Sequence, residues 1–320
     1  MTSEIRLAVV IPVFNDWDSA TKLVDHLGNQ LSRDERVRDV EIVLVDDGST
    51  SDIPEVTELP SHGLKARIIP LRLNVGHQQA IMVGLLSLVG SRYTHVIVMD
   101  SDGEDTPAGL SQFLDIVQRQ PEAIVVAQRG LRSENWSFRA MYRAHKILFR
   151  LLVGKKLDFG NFALLPKSAV ERISSLVDTS SHLASAILRS GLPLVRLKVD
   201  RGARYFGKSQ MNFEKLVAHS FASLAVFSDQ IMVRLMILSF FSTLVTFAGI
   251  TIVIVTRILS AAVTPGWATA AVGLLAVLSV QILSFVGLGT LISLNLTSLK
   301  NFVRHQTDSP PAERSYRPDK

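Results

Sequence analysis

Two aspartates spaced i, i+2, Asp100 and Asp102, close the apolar run His95-Val-Ile-Val-Met99. A second acidic pair, Asp46-Asp47, closes Glu41-Ile-Val-Leu-Val45 and runs into Gly48-Ser49. Both runs read as buried strands, and acidic groups at the carboxyl ends of successive strands converge on the crevice where open α/β sheets take their ligands. Carboxylates gathered there need a countercharge. A hard divalent ion, Mg²⁺ or Mn²⁺, supplies it and carries a diphosphate on its remaining sites. The pattern points to a nucleotide-diphosphate substrate. A chain without cysteine has no disulfide and no thiolate zinc site. No Gly-x-Gly-x-x-Gly follows the first strand and no Walker-type Gly-Lys-Ser/Thr occurs, which disfavours dinucleotide and phosphate-loop sites.

The elements that must carry these residues surround them. Leu7–Val13, Glu41–Val45, Ala66–Leu71, His95–Met99 and Ile124–Ala127 are strand-like runs. Between them, Ala20, Leu23, Val24 and Leu27 recur at helical spacing, and Gln78 to Leu88 predicts a further helix. Thr106-Pro107 opens another, with Thr as cap and Pro at the first helical position. Such alternation implies an α/β fold, a mostly parallel sheet with helices on both faces. Arg139, Arg143, Lys146 and Arg150 form one stripe of a helix, with Met141, Leu148 and Leu152 toward the other side, as in helices that lie on an anionic membrane surface. Phe213 to Phe227 is also amphipathic. His77, His145 and His182 are scattered at no metal-ligand spacing and read as structural.

The composition changes after residue 230. Leu235 to Val255 and Ala268 to Leu294 are uncharged runs, long enough as helices to cross a hydrocarbon core of about 30 Å. Thr264-Pro265-Gly266-Trp267 interrupts them. The link carries no Lys or Arg beyond Arg257, whereas Lys300 and Arg304 follow the second run, which places both termini and the catalytic domain in the cytoplasm. Four segments are expected: an α/β domain over 1–210, an amphipathic juxtamembrane segment over 211–233, a transmembrane hairpin over 234–296 and a disordered tail over 297–320. The net charge of +5 suits an anionic bilayer rather than nucleic acid, because the basic residues cluster beside the apolar segments.

Four pieces in order resemble the family 2 glycosyltransferases of GT-A fold, over roughly residues 5 to 230: Val10-Ile-Pro-Val-Phe-Asn15, Val45-Asp-Asp-Gly-Ser-Thr50, Asn74-Val-Gly-His-Gln78 with Ala80, and Asp100-Ser-Asp102. Within that family the chain is most similar to the polyprenyl-phosphate glycosyltransferases, the group of dolichyl-phosphate mannose synthases and bactoprenol glucosyltransferases. Arg129 after the fifth strand, Glu134-Asn135-Trp136 before Arg139, and Arg204-Tyr-Phe-Gly207 with Ser209 carry this narrower likeness, together with the two spans. None of Trp17, Trp136 or Trp267 follows an arginine, so the Gln-x-x-Arg-Trp of processive synthases is missing.

The resemblance implies inverting transfer of one hexose from a nucleotide-diphosphate sugar to a polyprenyl phosphate, undecaprenyl or dolichyl, at the cytoplasmic face of a membrane. The two-span layout suits a bacterial plasma membrane. Pro12, Phe14, Asp16, Val45 and Asp47 would line the nucleotide-sugar pocket with Asp100 and Ser101. Asp100, Asp102 and Glu104 would hold Mg²⁺ or Mn²⁺. Arg129, Arg139, Arg204, Lys208 and Ser209 would bind lipid phosphate or diphosphate, and Asp102, Arg129 and Asp158 are the expected catalytic residues.

The chain also departs from the pattern. Gly160-Asn161-Phe162-Ala163-Leu164 stands where bactoprenol glucosyltransferases carry Gly-Asp-Phe-Arg-Leu. Asn161 cannot act as a base and Ala163 removes a cation; Asp158 is the candidate to compensate. Ser209-Gln210 replaces Ser-Lys, with Lys208 adjacent. Two alternatives therefore stay open. One is transfer to another membrane lipid such as diacylglycerol, whose alcohol needs Asp158 or Asp105 as general base. The other is a non-catalytic, nucleotide-sugar-binding membrane partner. A homo-oligomer is left open as well.

Overall fold

The computed structural model describes residues 4–129, 136–175, 181–207, 213–259 and 266–308, with the side chains of 129, 136–142, 213, 215 and 292–308 excepted. The chain divides into two compact units, Met1–Val226 and Phe227–Lys320.

The first unit is built on a seven-stranded sheet. β1 (Ile5–Val13), β2 (Val37–Asp46), β3 (Lys65–Pro70) and β4 (His95–Val98) lie in the order β3-β2-β1-β4, all parallel. β5 (Ile124–Arg129), β6 (Ala163–Pro166) and β7 (Leu194–Val199) complete it as β4-β6-β5-β7, with β6 antiparallel to both neighbours. β1 is buried at every position but Arg6, because it lies centrally and helices cover both its faces. β3, at the edge, is only half buried and ends in Pro70, a residue that edge strands tolerate. The mostly parallel α/β architecture expected from strand–helix alternation is the one observed. β6 and β7 were not read from the sequence. β6 is four residues long and uniformly apolar, with no alternation to mark it.

α1 (Trp17–Leu31) buries Ala20, Leu23, Val24 and Leu27, the face that its spacing predicts. α3 (Pro107–Arg119) begins as expected, with the Thr106 hydroxyl accepting from Gly109 N at 3.2 Å. α2 (His77–Leu86) packs against β1 and β2, and a Cβ on Gly84 would stand 2.4 Å from Val10 Cγ1. Only glycine lets this helix lie so close. α4 (Trp136–Val153) buries Phe149 and Val153 and exposes Ile147, Leu148 and Leu151 beside Arg143 and Arg150. α5 (Lys167–Ser174), α6 (Leu183–Ser190) and α7 (Phe213–Ala225) complete the unit.

The second unit holds α8 (Ser228–Leu259) and α9 (Trp267–Asp308), packed on each other. Ser228–Leu259 and Trp267–Leu291 are long and apolar enough to cross a membrane and bury almost none of their side chains in protein. α9 continues as helix through Asp308, into the segment expected to be a disordered tail.

Candidate active site

The strand order reverses between β1 and β4, and the crevice at that switch point opens into a cavity of about 800 Å³. Pro12, Phe14 and Asp16 line it from the end of β1, Asp47 from the end of β2, and Asp100, Ser101, Asp102 and Glu104 from the turn after β4. Because β6 is antiparallel, its first residue Ala163 pairs with Val98 near the end of β4, which delivers Gly160 and Asn161 to the same cavity. Asn15 ties two of these loops together from a left-handed conformation, φ 51°. Its side-chain oxygen accepts from Thr50 N at 2.8 Å and Ser51 N at 3.1 Å, while its own N–H donates to Ser49 Oγ at 2.9 Å. Asp47 accepts from Val75 N at 2.7 Å and Gly76 N at 3.0 Å, stitching β2 to the start of α2.

The acidic turn is matched by cations of the chain's own. Asp100 Oδ1 lies 3.1 Å from His77 Nε2. Asp102 Oδ2 accepts from Arg204 Nη2 at 2.6 Å, and Glu104 pairs with Arg201. The cavity wall partly desolvates His77, whose side chain is still 45% exposed, and Asp100, Asp102 and Asp47 outweigh that cost and raise the pKa of the ring. Asp105 is buried and accepts from Asp100 N at 3.0 Å, bracing the turn. Among the described residues no three His, Asp or Glu side chains already converge as a metal cage. Asp100 and Asp102 nonetheless fit a hard divalent ion. Their carboxylate oxygens line one cavity and already collect positive charge, and a ligand's oxygens would fill the remaining positions.

Histidines make up another part of the wall. His182 caps α6, its Nδ1 accepting from Ser185 N at 3.2 Å. Its proton therefore sits on Nε2 and is donated to His219 Nε2 at 3.1 Å, which leaves the proton of His219 on Nδ1. Burial, then the neighbouring His219 and His145, push the pKa of His182 down to about 3. Burial lowers His145 and His219 as well. All three line the cavity with His77, so the histidines that look scattered along the chain are gathered in space. A further pair of bonds fixes the amides beside them. Leu183 N donates to Gln78 Oε1 at 2.7 Å, and Gln78 Nε2 donates to Asn161 Oδ1 at 3.0 Å. Asn161 Nδ2 lies 3.1 Å from His77 Nε2, a bond only while that nitrogen is unprotonated and therefore an alternative to its pairing with Asp100.

Arg204 also reaches the cavity, so nine of the expected residues line it: Pro12, Phe14, Asp16, Asp47, Asp100, Ser101, Asp102, Glu104 and Arg204. Val45 and Asp158 are not in that wall. Val45 is buried in β2, opposite Pro12 in the pairing with β1. Asp158 is buried and engaged by Gln128 Nε2 at 2.7 Å, Arg196 Nε at 3.0 Å and Lys156 Nζ at 3.0 Å. Burial would raise its pKa, but these donors hold it below the usual carboxylate value. Lys208 and Ser209 lie outside the described residues, as do the side chains of Arg129 and Arg139. Sequence reading missed Asn15, Gln78, His145, His182 and His219 as cavity residues. Asn15 and Gln78 stood inside quoted motifs, whereas the histidines carried no local signal.

The profile of glycosyl transferase family 2 matches residues 8–174, more than half of the chain. The chain is 26% identical over 291 residues to an undecaprenyl-phosphate 4-deoxy-4-formamido-L-arabinose transferase of Edwardsiella ictaluri, a match covering 89% of this chain and 87% of that protein. The enzyme of the same name from an Enterobacter species is 26% identical over 307 residues, covering 89% and 86%. Among solved structures, glucosyl-3-phosphoglycerate synthase of Mycobacterium tuberculosis, in complex with Mn²⁺, UDP-glucose and phosphoglyceric acid, has a TM-score of 0.51 at 15% identity. That likeness covers 72% of this chain and 81% of that one, and it is a likeness of fold.

Proposed function

The chain belongs to glycosyl transferase family 2, and from that membership we propose that it transfers a single sugar residue, with inversion, from a nucleotide-diphosphate sugar to a polyprenyl phosphate. The reaction is placed at the cytoplasmic face of a bacterial plasma membrane. One observation carries the reading: Asp100 and Asp102 stand at the switch point of the sheet, on a cavity large enough for a nucleotide sugar, and Arg204, paired with Asp102, lines the same cavity.

Pro12, Phe14 and Asp16 wall the nucleotide end, and Asp47 holds the loop that starts α2. Asp100 and Asp102 would hold Mg²⁺ or Mn²⁺, with Glu104 beside them, and the ion would supply positive charge against the departing nucleoside diphosphate. Arg204 offers a planar fork to phosphate oxygens, and Arg129, Arg139, Lys208 and Ser209 share that task by resemblance. A lipid monophosphate, with a second pKa of about 6 as in a phosphoserine, is mostly dianionic at neutral pH. It needs cations to hold it rather than a base to activate it. Its oxygen bonds to the anomeric carbon as the bond from that carbon to the diphosphate oxygen breaks, and attack from the opposite face inverts the configuration.

The named relatives act on undecaprenyl phosphate and the structural neighbour binds Mn²⁺ and UDP-glucose, which supports the acceptor, the metal and the donor class. The apolar helices α8 and α9 and the exposed Ile147, Leu148 and Leu151 of α4 support work at a bilayer. An alcohol acceptor would need a base, and both candidates, Asp158 and Asp105, serve as braces. Ala163 fits a structural role too, as a fully buried residue of β6.

The test is transfer itself. Full-length protein in detergent is incubated with Mn²⁺, undecaprenyl phosphate or diacylglycerol, and labelled UDP- and GDP-sugars. Because the named relatives carry an arabinose derivative, pentoses belong in the panel beside the expected hexose. Label should enter the polyprenyl-phosphate fraction and vanish with EDTA or Asp102→Asn. Label in diacylglycerol, or donor binding with no transfer to any lipid, would overturn the proposal.

A further inference from the structure

Arg204 reaches Asp102 from a loop fastened along the acidic turn. Gly202 N donates to Glu104 O at 3.0 Å, and Tyr205 N donates to Asp102 O at 2.9 Å. The Tyr205 ring covers Gly103, where φ is +85° and a Cβ would stand 2.5 Å from the ring. Tyr205 Oη meets His26 Nδ1 of α1 at 2.8 Å, and Lys22 Nζ lies 5.0 Å from the centre of the same ring. Backbone, ring and hydroxyl are thus all held. The Arg204 side chain is the long, rotatable part, and it lines the cavity beside the turn.

On the preceding reading a divalent ion belongs on Asp100 and Asp102, yet Asp102 Oδ2 already receives a guanidinium N–H at 2.6 Å. Two positive groups cannot share that oxygen at close range without strong repulsion. We infer that Arg204 is a resident counter-ion of Asp102 in the metal-free protein. It yields the carboxylate to the ion and turns to the phosphate that the ion brings, on a loop whose place is kept by the positioning residues Tyr205 and His26. The exchange couples the two ligands. An ion arriving alone costs the protein the Arg204–Asp102 bond, whereas an ion arriving with a diphosphate gives Arg204 a new anion. The wild-type protein should therefore bind free ion weakly and the ion with its diphosphate far more tightly.

Mn²⁺ binding to the full chain in detergent, followed by electron paramagnetic resonance with and without UDP or GDP, tests this apart from catalysis. Arg204→Gln should bind Mn²⁺ alone about tenfold more tightly than wild type, the scale of one charge-assisted bond. Its gain from added nucleotide should shrink. Arg204→Lys, which keeps the charge without the fork, should fall between. An Arg204→Gln protein that binds Mn²⁺ alone no more tightly than wild type overturns the exchange. Wild type that binds Mn²⁺ neither alone nor with nucleotide overturns the metal reading beneath it. His26→Ala should reduce the nucleotide gain, and His26→Asn, whose amide oxygen can replace Nδ1, should restore it. Equal losses in these two variants would remove His26 as a positioning residue.

Discussion

Acidification should destabilise the first unit from about pH 6.5 downward, with His182 as the main cause. The ring is 4% exposed, with Nδ1 taken by Ser185 N–H and the Nε2 proton given to His219, so a second proton finds no open lone pair. Burial, His219 and His145 hold its pKa at about 3, against about 6.5 in an unfolded chain. Below that unfolded value the unfolded state takes up a proton that the native ring refuses. The contribution is thus complete above pH 6.5 and lost as pH falls. One such group is worth about 1.4 kcal/mol per pH unit, hence about 1.4 kcal/mol at pH 5.5 and nearly 3 kcal/mol at pH 4.5. His219 and His145, also lowered by burial, steepen the fall. His77 works the other way: its raised pKa adds stability below pH 6.5 that fades as pH climbs through the folded value. The assay is urea unfolding of a full chain in which Trp136 and Trp267 are replaced by Phe, in micelles between pH 7.5 and 4.5, followed by the fluorescence of buried Trp17. His182→Asn keeps an acceptor for Ser185 N–H but takes no proton, so its stability should fall less steeply, by up to one proton. Parallel curves for the two proteins would refute the reasoning.

Gly103→Ala should cost about 1–2 kcal/mol from its positive φ alone. It should also lift Tyr205 off the turn and weaken Mn²⁺–nucleotide binding; calorimetry showing wild-type binding would separate the ring contact from the site. Asp158→Asn should lower the free energy of unfolding by about 2–3 kcal/mol, read as an earlier urea transition, since Arg196 and Lys156 lose their anion. Most transfer activity should survive in the folded fraction, and lost activity at unchanged stability would restore Asp158 as a catalytic group. Replacing both Ile147 and Leu151 by Glu removes two exposed apolar side chains from α4. Transfer to polyprenyl phosphate in a bilayer should drop about tenfold or more while a short-chain soluble acceptor is used normally. Equal loss on both acceptors would argue against membrane contact by this helix.

The acidic turns were legible along the chain because their signal is local. A buried strand needs an unbroken apolar run, and the polar residue that stops it must lie at the carboxyl edge of the sheet, where Asp100 and Asp102 are found. The buried face of α1, the Thr106 cap and the two long apolar helices were readable for the same reason: each depends on neighbours within a few residues. Partner choice over long range was not. His77, His145, His182 and His219 come from α2, α4, the cap of α6 and α7, so no spacing rule could gather them. Asp158 shows the converse: beside Asn161 in sequence it suggested chemistry, but in the fold its carboxylate is taken by β5 and β7 through Gln128 and Arg196. Arg204 could be assigned to a phosphate by resemblance, whereas its place on Asp102 depends on the backbone bonds that lay its loop along the turn. Apolar periodicity and turn chemistry write the elements and the ends of strands. Which charges meet is settled by strand order and loop packing, because a Coulomb partner is chosen by distance through space rather than along the chain.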